Sequence, residues 1–354
     1  MEQTTKASRW SRFWRPIDER LGLDALAYKV PEYGNTLAYT LGGITFVGFI
    51  ILVLTGVALT QFYHPHPTEA NASIRSIMEV VPFGAFLRGL HFWTAQAVMV
   101  SVVLHATRVF VTAAYKRPRE FNWLVGVALL ALTIAFYFTG TVLKWDQEAF
   151  EALEHNLEIA EILGIFGAFF SPSFAAGVPI LTRLYSTHVS ILPVLLALLL
   201  LAHVFYVRHF GVSPLPWKWK GRGAGEEGVF RPFSSHVKKI ALYGSVLLAL
   251  VTVLAILFPA PIGPEPIEGI EVTKPPWPFL WLYGIENAWG IQWLLPASVV
   301  PFALLTILPF VDRGDERDPR RRLFFVGAFL VAIAILLVLT VIALVTAPQA
   351  HVGG

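Results

Sequence analysis

The sequence predicts an all-α integral membrane protein with seven transmembrane helices, a four-helix block followed by a three-helix C-terminal part. Three observations predict it. Of 354 residues, 55% are hydrophobic and only 14% are charged, against about 25% charged in an ordinary soluble domain. Seven apolar segments, each near the roughly 20 residues that span a bilayer, stand at 38–62, 89–113, 122–143, 184–208, 238–259, 290–311 and 323–347. With seven crossings and the amino end inside, 22 of the 27 Lys and Arg fall on the inner side and five outside. That is the bias the positive-inside rule demands.

Residues 1–37 carry Lys6, Arg9, Arg12, Arg15 and Arg20 among Trp10, Phe13 and Trp14, with no apolar run before Leu37. They read as a basic interfacial arm on an anionic membrane surface, not as a cleavable signal peptide. Residues 38–210 hold the first four spans. The apolar stretch 157–180 lies between the third and fourth, but Pro172 and three glycines interrupt it. It reads as short surface helices, because an eighth span would turn the basic loop between the last two spans outward. Residues 211–237, with Pro214, Pro216 and the run Gly221–Gly228, form an inner-side linker. Residues 238–354 complete the chain with three spans and a long outer loop, which puts the C-terminus outside. The expected location is the inner (plasma) membrane of a cell. The basic residues are accounted for by orientation, so the expected partner is the lipid bilayer and no nucleic acid. The chain has no cysteine, which excludes disulfides, thiolate-held clusters and thioether-bound haem within it.

Four histidines inside these spans carry the chemistry. His91 and His105 are fourteen residues apart in the second span, and His188 and His203 are fifteen apart in the fourth. On an α-helix, fourteen steps return to within about 40° of one face and fifteen to within about 60°, with a rise of roughly 21–23 Å. Each helix therefore shows an imidazole near each membrane surface. The two spans run in the same direction, so His91 is level with His188 and His105 with His203. Ionisable groups in a bilayer are functional suspects, and two matched pairs point to two haems, each iron held between two imidazoles. The four-helix block is thus expected to be a dihaem bundle. Iron with both axial positions filled suits one-electron transfer.

Glycines repeat the period. Gly42 and Gly56 in the first span, and Gly126 and Gly140 in the third, are again fourteen apart. Each costs about 1 kcal/mol of helix propensity relative to alanine, and each offers a flat surface where a macrocycle edge can meet backbone. Arg88 stands three residues before His91, Arg108 three after His105, and Arg119 lies at the inner edge. Guanidinium groups there suit haem propionates.

These features, with Leu54-Thr55-Gly56, Arg88-Gly89-Leu90-His91, Leu104-His105-Ala106-Thr107-Arg108, Lys116-Arg117-Pro118-Arg119-Glu120, Trp145-Asp146-Gln147 and Leu181–His188, resemble cytochrome b of the quinol:cytochrome c oxidoreductases. The resemblance runs from Val30 to the end. It is nearer the chloroplast and cyanobacterial branch, in which the four-helix and three-helix parts are separate proteins; here they are joined. It implies two non-covalent b haems and bifurcated oxidation of quinol at an outer site near the His91/His188 haem. One electron goes to a Rieske iron–sulfur protein and on to a c-type cytochrome. The other passes inward to the His105/His203 haem and reduces quinone, and the proton traffic builds a proton-motive force. The family also implies a homodimer of the whole complex, and an inner quinone region near Arg208.

Three departures follow from the same resemblance. Where the split branch carries a cysteine for an extra covalent haem, this chain has Thr40, so no covalent haem is expected. Where relatives have Pro-Glu-Trp-Tyr at the outer quinol site, this chain has Pro275-Pro276-Trp277-Pro278, which lacks the proton-accepting carboxylate. And where relatives continue Pro-Trp after the third span, this chain has Lys144-Trp145 and then Asp146, Glu148, Glu151, Glu154 and His155. The candidate catalytic groups are therefore Asp146, Glu148, His155 and Glu286 as proton acceptors, with Trp277 lining the pocket. Two other readings compete: a dihaem quinone-reacting anchor of another respiratory oxidoreductase, and a seven-span transporter with histidine proton relays. Neither explains the glycine period.

Overall fold

A computed structural model describes residues 28–213 and 229–351 of the chain. The expected interfacial arm over its first 27 residues and the glycine-rich part of the linker lie outside the described residues. Seven helices are long and apolar enough to cross a membrane: Leu37–Leu59, Gly84–Val111, Glu120–Val142, Ile180–Phe210, Phe233–Leu257, Ile291–Val311 and Leu323–Val345. They fall on the seven expected segments, with the second, fourth and fifth beginning four or five residues early.

In chain order, α1 (Leu37–Leu59) follows a short strand β1 (Lys29–Pro31), and α2 (Ala70–Glu79) is a surface helix. Then come α3 (Gly84–Val111), α4 (Glu120–Val142), the surface helix α5 (Gln147–Ile162), and α6, continuous over Ile180–Phe210. Strand β2 (Phe230–Pro232) and α7 (Phe233–Leu257) open the C-terminal part, followed by α8 (Leu280–Trp289), α9 (Leu294–Val311) and α10 (Leu323–Val345). Local chemistry sets the ends. Asp146 caps α5 by accepting from the Ala149 amide, and Gly211, at φ +67°, stops α6. The stretch after α5 forms three 3₁₀ turns, Gly164–Phe166, Ala168–Phe170 and Pro172–Ala175, as expected of surface pieces. Pro301 and Pro309 sit inside α9, which membrane helices tolerate.

α1 packs on α3, and α4 on α6. Between these pairs lies a buried apolar cluster of Phe49, Val98, Leu129, Leu132, Leu192 and Leu196. Phe49 is midway between Gly42 and Gly56, and Val98 is midway between His91 and His105, so the cluster fills the middle of the bilayer. The C-terminal helices do not form a separate bundle: α7 packs against α1 and α3, α9 touches α4, and α10 packs on α8. Small residues permit the close contacts. A Cβ on Gly244 would come within 3.0 Å of Val47, and one on Gly89 within 3.2 Å of Ala255. On the inner side β1 pairs antiparallel with β2, Val30 opposite Arg231.

A buried ion cluster ties the turn after α3 to the loop before α10. Asp312 receives Lys116 at 2.8 Å and Arg322 and the Tyr115 hydroxyl each at 2.5 Å. Burial alone would raise the Asp312 pKa, but Lys116, Tyr115 and Arg322 hold it below the usual carboxylate range. Arg317 adds bonds to the carbonyls of Ala113 and Arg117 and to the Ser213 hydroxyl.

Candidate functional site

The four membrane histidines fall into two layers. In the inner layer, His105 of α3 and His203 of α6 face each other with ring centroids 6.3 Å apart. That is close to the spacing of two imidazoles on opposite sides of one metal ion, each bonded at roughly 2 Å. In the outer layer, His91 of α3 and His188 of α6 each accompany a threonine from the neighbouring helix. Nδ1 of His91 is 2.9 Å from Thr55 Oγ1, and Nδ1 of His188 is 2.8 Å from Thr139 Oγ1.

Each of the four glycines meets one of the four histidines. A Cβ built at Gly42 would lie 3.0 Å from Cε1 of His105, at Gly56 3.3 Å from His91, at Gly126 3.7 Å from His203 and at Gly140 3.2 Å from His188. The expectation was backbone against a macrocycle edge. The structure refines it: glycine first makes room for the imidazole, letting α1 and α4 close on the rings. The arrangement fits two haems, with His91, His188, His105 and His203 as the residues that could hold them.

The fifteen-residue step on α6 has an explanation that sequence reading missed. Thr187–Ile191, which includes His188, is a π-helical turn, and such a turn absorbs one extra residue within an α-helix. His188 and His203 consequently match Gly140 and Gly126, which are fourteen apart on α4.

The arginines are more varied than expected. Arg88 is buried and donates to the carbonyls of Ala260 and Pro261, both at 2.7 Å, so here it anchors the loop after α7. Arg108 donates to the Ala38 carbonyl at 3.3 Å and lies over the Tyr39 ring. Arg119 donates to the Phe210 carbonyl, while its buried Nε has no partner. Arg208 stands in the last turn of α6.

At the outer side, Trp277 donates from Nε1 to Gln96 Oε1 at 2.6 Å, and the Tyr137 hydroxyl donates to the same oxygen at 2.9 Å. Phe279 sets its ring edge-on to Tyr137. This aromatic pocket stands five residues along α3 from His91. Gln96 and Tyr137 carried no motif signal.

The four proton-acceptor candidates separate into two kinds. Asp146 is almost wholly buried and occupied: it caps α5, accepts from the Gly263 amide at 2.7 Å and pairs with Lys144 at 3.1 Å. Glu148 pairs with Lys144 at 2.6 Å. Their neighbour Glu151 accepts from Gln147, from the amides of Val272 and Thr273 and from the Thr273 hydroxyl. Asp146 and Glu151 pin the outer loop. His155 and Glu286, 131 positions apart in the sequence, come together instead. His155 Nδ1 bonds the Glu151 carbonyl at 2.7 Å. Its Nε2 lies 3.2 Å from Glu286 Oε1 and 3.3 Å from Glu271 Oε1. His351 joins, with Nδ1 3.2 Å from Glu271 Oε1. Burial would depress the His155 pKa, but Glu271 and Glu286 outweigh it and push it up to about 10. Glu271 and His351 are new members of this cluster, invisible until the loop and the C-terminal segment are folded onto α5.

Comparison with known proteins agrees with this architecture. Residues 28–211 match the family model described as Cytochrome b/b6/petB. Cytochrome b6 of Euglena gracilis is 39% identical over 212 residues, covering 57% of this chain and 98% of that protein. The cytochrome bc complex cytochrome b subunit of Chlorobaculum thiosulfatiphilum is 32% identical over 335 residues, covering 90% of this chain and 76% of its own. Among solved structures, a chain of a hyperthermophilic respiratory Complex III superposes with a TM-score of 0.76 at 27% identity, over 94% of this chain and 91% of that one. The match through both parts shows four-helix and three-helix sections joined in one chain. The protein therefore belongs to the cytochrome b family, as the membrane-embedded, haem b-type cytochrome b subunit of a bc-type oxidoreductase complex.

Proposed function

We propose that this subunit oxidises quinol at an outer site, conducts electrons across the membrane through two bis-histidine b haems, and reduces quinone near the inner surface. The observation that carries the reading is the registration of four histidines with four glycines in two layers. The haems, when bound, supply one-electron carriers with no open coordination position. The chain's own residues do the rest. His91 with His188, and His105 with His203, hold the irons, and the apolar plug around Phe49, Val98 and Leu196 keeps water from the space between them. Arg108 and Arg119 lie where propionates would need neutralising. Arg208 belongs to the inner quinone region.

At the outer site, quinol gives up two electrons and two protons. Under this reading one electron leaves to a Rieske iron–sulfur protein and then a c-type cytochrome, and the other enters the outer haem. Trp277, Tyr137 and Gln96 shape the pocket. The proton acceptor missing from Pro275–Pro278 is replaced by Glu286 working with His155. Glu286 takes the quinol proton, with His155 Nε2 3.2 Å from its carboxylate. Asp146 serves as a loop anchor, and Glu148 is occupied by Lys144. Proton release outside and uptake inside make the complex a translocase in the plasma membrane, with the N-terminus inside, the C-terminus outside and the complex a homodimer. No covalent haem is expected in this set, since the chain has no cysteine and Thr40 stands where the split branch carries one. Family membership speaks against both an unrelated dihaem anchor and a transporter.

The test is haem content. The purified protein is expected to hold two b haems per chain by pyridine haemochrome, and His91→Leu and His203→Leu should each remove one. Fewer than two haems, or two retained in both variants, would refute the reading.

A further inference from the structure

The outer and inner layers differ in one respect that bears on the direction of electron flow. Thr55 and Thr139 immediately precede Gly56 and Gly140. The residues before the inner glycines, Gly42 and Gly126, are Leu41 and Val125. Each outer threonine donates its single hydroxyl proton to its own helix: Thr55 to the Ile51 carbonyl and Thr139 to the Ala135 carbonyl, both at 2.7 Å. With that proton committed, the hydroxyl can only accept on its other side. Nδ1 of His91 and of His188 must therefore carry the hydrogen and donate it, at 2.9 and 2.8 Å. Both rings are fixed in the tautomer that leaves Nε2 free to bind a metal. In the inner layer no hydroxyl stands at Nδ1 of His105 or His203: both are buried without a hydrogen bond of ordinary geometry, and only the Asn122 backbone lies near His203.

We propose that Thr55 and Thr139 are positioning residues that lower the reduction potential of the outer haem relative to the inner one. An acceptor on Nδ1–H makes an imidazole a stronger electron donor through its other nitrogen. Stronger donation favours ferric over ferrous iron. Two hydroxyl acceptors act on the outer site and none on the inner. Electrons arriving outside therefore run downhill toward His105 and His203. The inference rests on the dihaem reading, and goes beyond it by naming what sets the gradient.

The experiment is a redox titration of the α-band in the purified complex, with haem counted in every sample. The outer component is identified by its loss in His91→Leu. Thr55→Val and Thr139→Val nearly preserve volume and remove the acceptor. Each is expected to raise the outer midpoint by the equivalent of about a threefold to tenfold change in the ferric-to-ferrous ratio, from the usual worth of one such bond. At 59 mV per tenfold for one electron, that is roughly 30–60 mV. The inner midpoint should stay in place, and Thr55→Ser and Thr139→Ser should restore the outer value. A gain-of-function variant, Val125→Thr, should lower the inner midpoint, and it stands independently if the valine variants lose haem. Two haems with unchanged midpoints in Thr55→Val/Thr139→Val would overturn the proposal while leaving the dihaem reading intact. Equal shifts of both components would overturn it too. Fewer than two haems in the unaltered protein would instead sink the reading beneath it.

Discussion

Deleting Ser190 should leave both haems in place. This residue is exposed and lies within the π turn Thr187–Ile191, so its removal costs little packing. The deletion lets α6 revert to an unbroken α-helix and cuts the His188–His203 step from fifteen residues to fourteen. On a regular helix each residue turns about 100°. A fifteen-step pair without the π turn would rotate one imidazole by that amount from its fourteen-step position. At a side-chain radius of about 5–6 Å, the ring would swing aside by roughly 8 Å, far beyond metal-bonding reach. The fourteen-step deletion variant instead keeps the register already set by Gly126 and Gly140 on α4. Inserting one alanine after Ser190 does the opposite and should eliminate one haem. Pyridine haemochrome per mole of protein, with the α-band of the dithionite-reduced sample, reads both outcomes. If the deletion removes a haem and the insertion does not, the π turn is not what aligns the two histidines.

Further outcomes follow from the same geometry. Gly56→Val and Gly140→Val, which force side-chain atoms toward His91 and His188 already 3.2–3.3 Å from a Cβ, should each deplete the outer haem and spare the inner one in the same haem assay. Arg322→Met removes one cation from the buried cluster while Lys116 and Tyr115 still bind Asp312, and should cost about 1.5–3 kcal/mol, the usual worth of a hydrogen bond to a charged group, seen as a fall in the thermal midpoint. Because the Asp312 pKa is depressed on folding, its contribution is present above the unfolded value, about 3.9. It is lost as the pH falls through the lower folded value, so the gap between Arg322→Met and the unaltered protein should narrow only in strong acid. For His155 the sign reverses. Its folded pKa, about 10, lies above the unfolded one, so its contribution is complete below about 6.5 and fades as the pH rises through about 10. Glu286→Gln should slow steady-state quinol oxidation at least tenfold near pH 7, by the usual worth of a positioned base, with both haems retained; an unchanged rate and pH profile would remove Glu286 from the proton path.

What the sequence disclosed depended on whether the signal was periodic. The spans were legible because bilayer thickness fixes a length, while the clustering of basic residues on one side supplied an expected orientation. The histidine and glycine steps were legible because a helix converts spacing into facing. The π turn at His188 was not, since a one-residue excess looks like imperfect spacing unless the opposite helix is known. The threonines before Gly56 and Gly140 were in plain view, yet their meaning required seeing which way each hydroxyl donates. The His155 cluster was only half legible. His155 and Glu286 were both candidates, but Glu271 and His351 arrive from more than a hundred residues away, where nothing local marks them. Asp146 shows the converse: an acidic residue one position before a helix is an N-cap more readily than a base.

Among the described residues, polar bonds near both ends of the bundle hold the three C-terminal helices to the four-helix block. On the outer side Arg88 binds the Ala260 and Pro261 carbonyls, and Asp146 and Gln147 bind the amides of Gly263 and Ile267. On the inner side Asp312 collects Lys116 and Arg322, while Trp123 donates to the Leu305 carbonyl at 2.6 Å. Between these two belts, contact is apolar and helped by glycine, as where Gly244 meets Val47. The division has a physical cause. Directional polar bonds are costly to leave unpaired in hydrocarbon, so they gather at the surfaces, where a lost bond can be replaced by water. The same belts carry the chemistry at each face: Arg88 sits one turn from His91, and Lys116 and Arg119 lie beside the inner end of the bundle. Under the proposed function, docking of the C-terminal helices and shaping of the two quinone regions are one set of interactions. A variant that loosens the inner belt, such as Arg322→Met, should therefore disturb quinone reduction at the inner surface before it disturbs either haem.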